Sequence, residues 1–134
     1  MISERDKKVE KKRSVGMNLL DELRALGVDV DDGLKRVMGN EKLYTRLLGS
    51  FVKMIKGSEV SVDFDASDCT ETIEKVHAIK GTSGNLSLTP IYESYNEILS
   101  LLRTGQPEEA RELLKKVIPV QNDIVACIEK NMNQ

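Results

Sequence analysis

Apolar residues recur at intervals of three and four along most of this chain, the spacing that gathers them on one face of an α-helix. Val15, Leu19, Leu23 and Leu26 define a first amphipathic stretch, which Gly27 can close. A short helix is predicted from Asp31 to Met38 and is stopped by Gly39. Asn40 is a good N-cap for the next helix, with Leu43, Leu47, Phe51 and Met54 along one face and an end near Gly57. In 57–66 (GSEVSVDFDA) Val60, Val62 and Phe64 alternate with polar residues in a strand-like way. One short run makes no sheet, so an extended connection laid over the helices is predicted there. The helical period returns at Ser67 and continues to about Leu88, where Thr89 and Pro90 supply an N-cap and a first-turn proline for a helix with the stripe Ile91, Tyr95, Ile98 and Leu102. Thr104 to Pro107 form the next break. A long last helix then carries Ala110, Leu113, Leu114, Val117, Gln121, Ile124 and Ile128 at core spacing, with a kink expected at Pro119. Four substantial helices with short connections predict an all-α fold, an antiparallel four-helix bundle with additional short N-terminal helices.

Composition narrows the class. The 134 residues fit one domain, which buries roughly two thirds of the surface of its unfolded chain. A chain that is 40% hydrophobic and 31% charged, with three prolines, is neither disordered nor collagenous. No run approaches the roughly 20 apolar residues of a membrane span, and Met1 is followed by charge, so a cytoplasmic protein without a membrane partner is expected. The net charge of -2 gives no whole-domain attraction for a polyanion. Residues 1–13 carry six basic side chains (Arg5, Lys7, Lys8, Lys11, Lys12, Arg13) against Glu4, Asp6 and Glu10. Mixed signs at helical spacing read as a solvated arm or helix extension, assigned to 1–14, rather than a nucleic-acid or membrane site. Cys69 and Cys127 fall on apolar stripes, and the lack of a CxxC motif with only one histidine argues against structural zinc.

The unusual stretch is HAIKGTSGN, His77 to Asn85, in a helix interior. Two glycines there cost roughly 0.5 to 1 kcal/mol each relative to alanine, so something should offset them. On a helical wheel Cys69, Thr72, Val76, Ile79, Ser83 and Leu86 share the core face. His77 points away from it, Gly81 and Gly84 fall about 40 and 20 degrees to either side of His77, and Lys80 lies roughly 60 degrees off. An exposed imidazole on a strip bare of side chains is therefore expected. A neutral imidazole keeps a lone pair for attack on phosphorus without a separate base. Phosphoryl transfer needs in-line positioning and charge stabilisation, and Lys80, one turn on, can supply positive charge. The plainer possibilities are a surface histidine without function and glycines that serve helix packing. The predicted placement of the glycines away from the apolar stripe weighs against the second.

His77, Lys80, Gly81 and Gly84 resemble, in spacing, the signature of the histidine-containing phosphotransfer (HPt) family: His, two variable residues, Lys-Gly, then small residues with a further glycine. The likeness extends upstream to GVDVDDGLKRVMGNEKLYTRLLGSFV (Gly27 to Val52) and downstream to LLRTGQPEEARELL (Leu101 to Leu114), covering about residues 25 to 130. The resemblance implies an HPt bundle over 15–134 with His77 as phosphoacceptor, Lys80 as charge-stabilising neighbour, and Gly81 and Gly84 as docking clearance. It implies receiver domains of response regulators or hybrid histidine kinases as partners, no cofactor on this chain, Mg2+ on the receiver, and a monomer. Two departures stand out: Ser87, on the same docking strip, replaces a frequent glycine, and Val76 replaces a common alanine. Antiparallel packing about Leu88 and Thr89 would bring the neighbourhood of Ser100 level with His77, making Asn96, Ser100 and Arg103 secondary candidates. The competing functions are a helical bundle that binds receivers without being phosphorylated and a histidine kinase dimerisation segment. Against the latter, Ala78 stands where an acidic residue is usual, and the chain has no glycine-rich nucleotide loop.

Overall fold

A computed structural model describes residues 18–132, and among them the backbone forms six helices and no strand. They are α1 (Leu19–Ala25), α2 (Val30–Arg36), α3 (Glu41–Gly57), α4 (Thr70–Asn85), α5 (Thr89–Arg103) and α6 (Pro107–Met132). The predicted arm 1–14 and Val15 lie outside the described residues.

The helix starts follow from short polar side chains. Asn18, Asp29 and Asn40 each precede a helix and accept a backbone N–H of its first turn, from Leu20 (2.8 Å), Asp32 (3.1 Å) and Leu43 (3.0 Å). The stops follow from left-handed backbone: Gly27 (φ 91) ends the turn after α1, and Met38 (φ 56) with Gly39 (φ 78) halts α2 at Arg36, two residues short of the predicted end. Gly105 (φ 76) turns the chain between α5 and α6. Thr89 does not cap α5 as predicted, since its hydroxyl donates backwards to the Ser87 carbonyl at 3.2 Å and Thr89 is itself the first helical residue.

In α3 the expected face is corrected. The buried residues are Tyr44, Leu48, Phe51, Val52 and Ile55, whereas Leu43 and Met54 are half-buried and Leu47 is 36% exposed. Tyr44 settles the rotation. Its ring lies where a side chain on Gly33 would be, and its hydroxyl donates to the Leu86 carbonyl at 2.7 Å, so its polar end is satisfied inside. Burial pushes that phenol up to about 12, which keeps it a donor at ordinary pH.

The connection between α3 and α4 is non-helical from Ser58 to Cys69, and α4 begins at Thr70 rather than Ser67. Asp65 and Asp68 delay it, for each accepts the backbone N–H two residues on, from Ser67 (2.9 Å) and Thr70 (3.2 Å). Val60 and Phe64 point inward and cover the helices, but the expected extended run is corrected: the Phe64 N–H donates to the Ser61 carbonyl (3.3 Å) and the Asp68 N–H to the Asp65 carbonyl (3.2 Å), so the segment folds into two turns. Arg111 of α6 fastens the segment: its guanidinium donates to the carbonyls of Val62 and Phe64 and lies 4.2 Å from the centre of the Phe64 ring.

α4 packs along α5 and α5 along α6, each pair joined by a three-residue turn, while α3 lies on α6 and touches α4. The core between them is aliphatic, including Val76, Ile79, Ile91, Ile98, Leu114 and Ile124. Each such side chain contributes about 1.5–3 kcal/mol on full burial. Tyr95 and Gln121 meet inside it, where the tyrosine hydroxyl donates to the amide oxygen and gives both of those atoms a partner. Helix α6 runs on through Pro119, an exposed position where water can take up the carbonyl that the proline leaves unpaired. At the chain's early end, Glu22 of α1 accepts from Lys130 (2.8 Å), Asn131 (2.9 Å) and the Cys127 thiol (3.3 Å), docking α1 on α6.

Candidate functional site

Helix α4 turns Val76, Ile79 and Ser83 into the core and, by the same periodicity, sends His77 outward. His77 is exposed, and among the described residues its ring has no hydrogen-bond partner. Ala78 beside it is exposed as well. Lys80 is half-buried and forms no ion pair with any described residue. Its ammonium is uncommitted among the described residues.

The two glycines differ. A Cβ built on Gly81 meets no described residue within 4 Å, so among the described residues nothing covers the backbone of α4 one turn beyond His77. A Cβ on Gly84 would sit 2.8 Å from Cδ1 and 2.9 Å from Cε1 of Tyr92. The expected bare strip is corrected there: the first turn of α5 lays an aromatic ring across Gly84, and the missing side chain serves packing within the chain.

Ser87 is also corrected as a surface position. It is 7% exposed, takes a left-handed φ of 57, and its hydroxyl donates to Asp32 of α2 at 2.5 Å while its carbonyl accepts from the Asp29 N–H at 3.1 Å. The serine bonds and the adjacent Arg36 guanidinium hold the Asp32 carboxyl below the usual carboxylate range. Asn96, Ser100 and Arg103 are exposed on α5, and none of their side chains comes within hydrogen-bonding distance of His77 or Lys80.

A cleft of about 420 Å³ opens beside the glycines, lined by Asp32, Arg36, Gly81, Gly84, Asn85, Ser87, Thr89 and Tyr92. Sequence reasoning missed Asp32, Arg36 and Tyr92. The only signal for Tyr92 was its position opposite Gly84 across the short α4–α5 turn, and nothing local marks the two α2 residues. Among the described residues no cluster of three or more His, Cys, Asp or Glu side chains is placed to hold a metal, and no helix is long and apolar enough to cross a membrane.

Compared with known proteins, the chain matches no family model, no curated protein and no solved structure.

Proposed function

We propose that this chain is a histidine phosphotransfer module, a phosphorelay intermediate that takes a phosphoryl group from a receiver domain's aspartyl phosphate onto His77 and passes it to another receiver aspartate. The observation that carries the reading is Gly81. Glycine in a helix interior is destabilising by roughly 0.5–1 kcal/mol against alanine, and no described neighbour occupies the space that its missing side chain leaves. An outside body that must come close to the backbone one turn from an exposed histidine supplies the missing reason. The contacts that run from α3 to α4, α5, α6 and back to α3 support an antiparallel four-helix bundle as the scaffold, with α1 and α2 as additions.

In the step proposed, a lone pair on the neutral imidazole of His77 forms the N–P bond as the bond from phosphorus to the partner's aspartyl oxygen breaks. The electron pair of that bond leaves on the aspartate, and onward transfer reverses the exchange with a second aspartate. Lys80 stabilises the equatorial phosphoryl oxygens, and Mg2+ belongs to the receiver. The chain supplies position and charge, not a kinase activity of its own.

The test is to mix the protein with a phosphorylated receiver and look for acid-labile, base-stable phosphate. Wild type is expected to acquire it and His77→Gln is not, at equal helical content by circular dichroism. Labelling by ATP alone would instead indicate a kinase segment, and receiver binding without transfer would indicate a pure interaction bundle.

A further inference from the structure

Several hydrogen-bonding groups of the cleft beside Gly81 are unengaged. Among the described residues that line it Asp32 is the only carboxylate; its Oδ2 accepts from both Ser87 Oγ (2.5 Å) and Arg36 Nε (2.9 Å), while Oδ1 has no described partner. Arg36 uses only Nε in that pair, so among the described residues both of its terminal nitrogens are uncommitted. The Tyr92 hydroxyl and the Asn85 amide likewise make no hydrogen bond to a described residue. The formal charges of the lining, Asp32 and Arg36, cancel, and the cleft offers unused donors, the two terminal nitrogens of the guanidinium foremost. It shares Gly81 with the histidine surface, about 6 Å along the helix axis from His77.

From this juxtaposition we propose that the Asp32–Arg36–Tyr92 cleft is an anchoring subsite for an acidic side chain carried on the partner protein, an Asp or Glu that docks while the phosphoryl group meets His77. A guanidinium that bonds through Nε still presents its two terminal nitrogens as a fork, the geometry that takes a carboxylate by paired hydrogen bonds. Asp32 acts as a positioning residue. Held by Ser87 on one side, it fixes Arg36 at the cleft so that little side-chain freedom is lost when the partner arrives. The proposal rests on the phosphotransfer reading, because the partner that brings the acidic group is the one that brings the phosphoryl group.

The experiment compares two phosphoryl sources on the same protein. Phosphoramidate, a small donor, labels His77 without docking, whereas a receiver domain phosphorylated with acetyl phosphate needs the interface. The quantity read is the receiver-dependent rate divided by the phosphoramidate rate. Arg36→Glu is expected to lower that ratio on the order of tenfold, with a weaker dependence on salt than wild type. Arg36→Lys, which keeps the charge without the fork, should fall between. Changing the partner's acidic residue to Lys should restore part of the transfer to Arg36→Glu. Tyr92→Phe keeps the ring over Gly84 and removes only the phenol donor, so it serves if Arg36→Glu loosens α2, with an expected loss of about twofold to fivefold. A ratio unchanged in both Arg36→Glu and Tyr92→Phe overturns the anchoring subsite and leaves the relay standing. Wild type that labels with phosphoramidate yet accepts nothing from any receiver sinks the relay reading and the anchor with it.

Discussion

In the middle of α4, His77 is exposed and no described residue covers Gly81; one turn later, Gly84 is covered by the Tyr92 ring and Ser87 is locked to Asp32. The two stretches share a helix, and each spends helix propensity on a glycine. At Gly84 the return is visible inside the molecule, as the close approach of α5 to α4. At Gly81 no described neighbour uses the space, and the same expense points outward to a surface kept low for something else. A helix glycine thus takes its meaning from what stands in the space of its missing side chain.

The contrast can be broken by substitution. Gly84→Leu should give the largest change, a loss of about 1–3 kcal/mol in urea unfolding from overpacking against Tyr92. A double-mutant cycle with Tyr92→Ala should recover much of it; additivity would mean that the ring is not what Gly84 accommodates. Gly81→Ala is predicted to move the other way, gaining about 0.5–1 kcal/mol of stability while slowing transfer from a receiver. A stabilised variant with undiminished transfer would remove the case for a docking surface at this position.

Smaller effects sharpen the boundary between the stretches. At Ser87, glycine relieves the left-handed backbone while alanine keeps the strain, and both lose the bond to Asp32, so Ser87→Gly should unfold at higher urea than Ser87→Ala. Equal midpoints would show that the backbone angle is not strained. The mildest expected effect lies at the α1–α6 contact. Hydrogen bonding to Lys130 holds Glu22 below its ordinary value of 4.5, with Asn131 adding to the effect. A depressed carboxylate contributes stability that is fully present above that ordinary value and lost as pH falls through the lower folded one. Wild type should therefore lose more stability than Glu22→Gln as pH drops below about 4.5, and parallel acid titrations of the two would contradict the linkage.

Much of this was legible in the chain because it is decided locally. Gly27, Gly39, Asn40 and Gly105 each mark a helix boundary through their own backbone or side chain, and the outward placement of His77 follows from the stripe Val76, Ile79 and Ser83. What could not be read depends on distant partners. Whether α3 turns Leu43 and Leu47 inward or Tyr44 and Leu48 is decided by room over Gly33 and by the Leu86 carbonyl, 42 residues away from Tyr44. The cover on Gly84 comes from the next helix, and the charged lining of the cleft comes from α2. Ser87 read as a surface position because its left-handed backbone has no signature in a serine.

Arg111 illustrates how such a distant decision can still leave sequence free. Its guanidinium grips the oxygens of the Val62 and Phe64 peptide groups, and every amino acid brings the same oxygen. The stretch leading into α4 can therefore change its surface chemistry at Glu59 without loosening the clasp, whereas Ser61, whose hydroxyl accepts the Asp63 N–H, and Asp63, whose charge acts on Arg111, belong to it. Variation at the exposed Glu59 leaves the setting of His77 undisturbed.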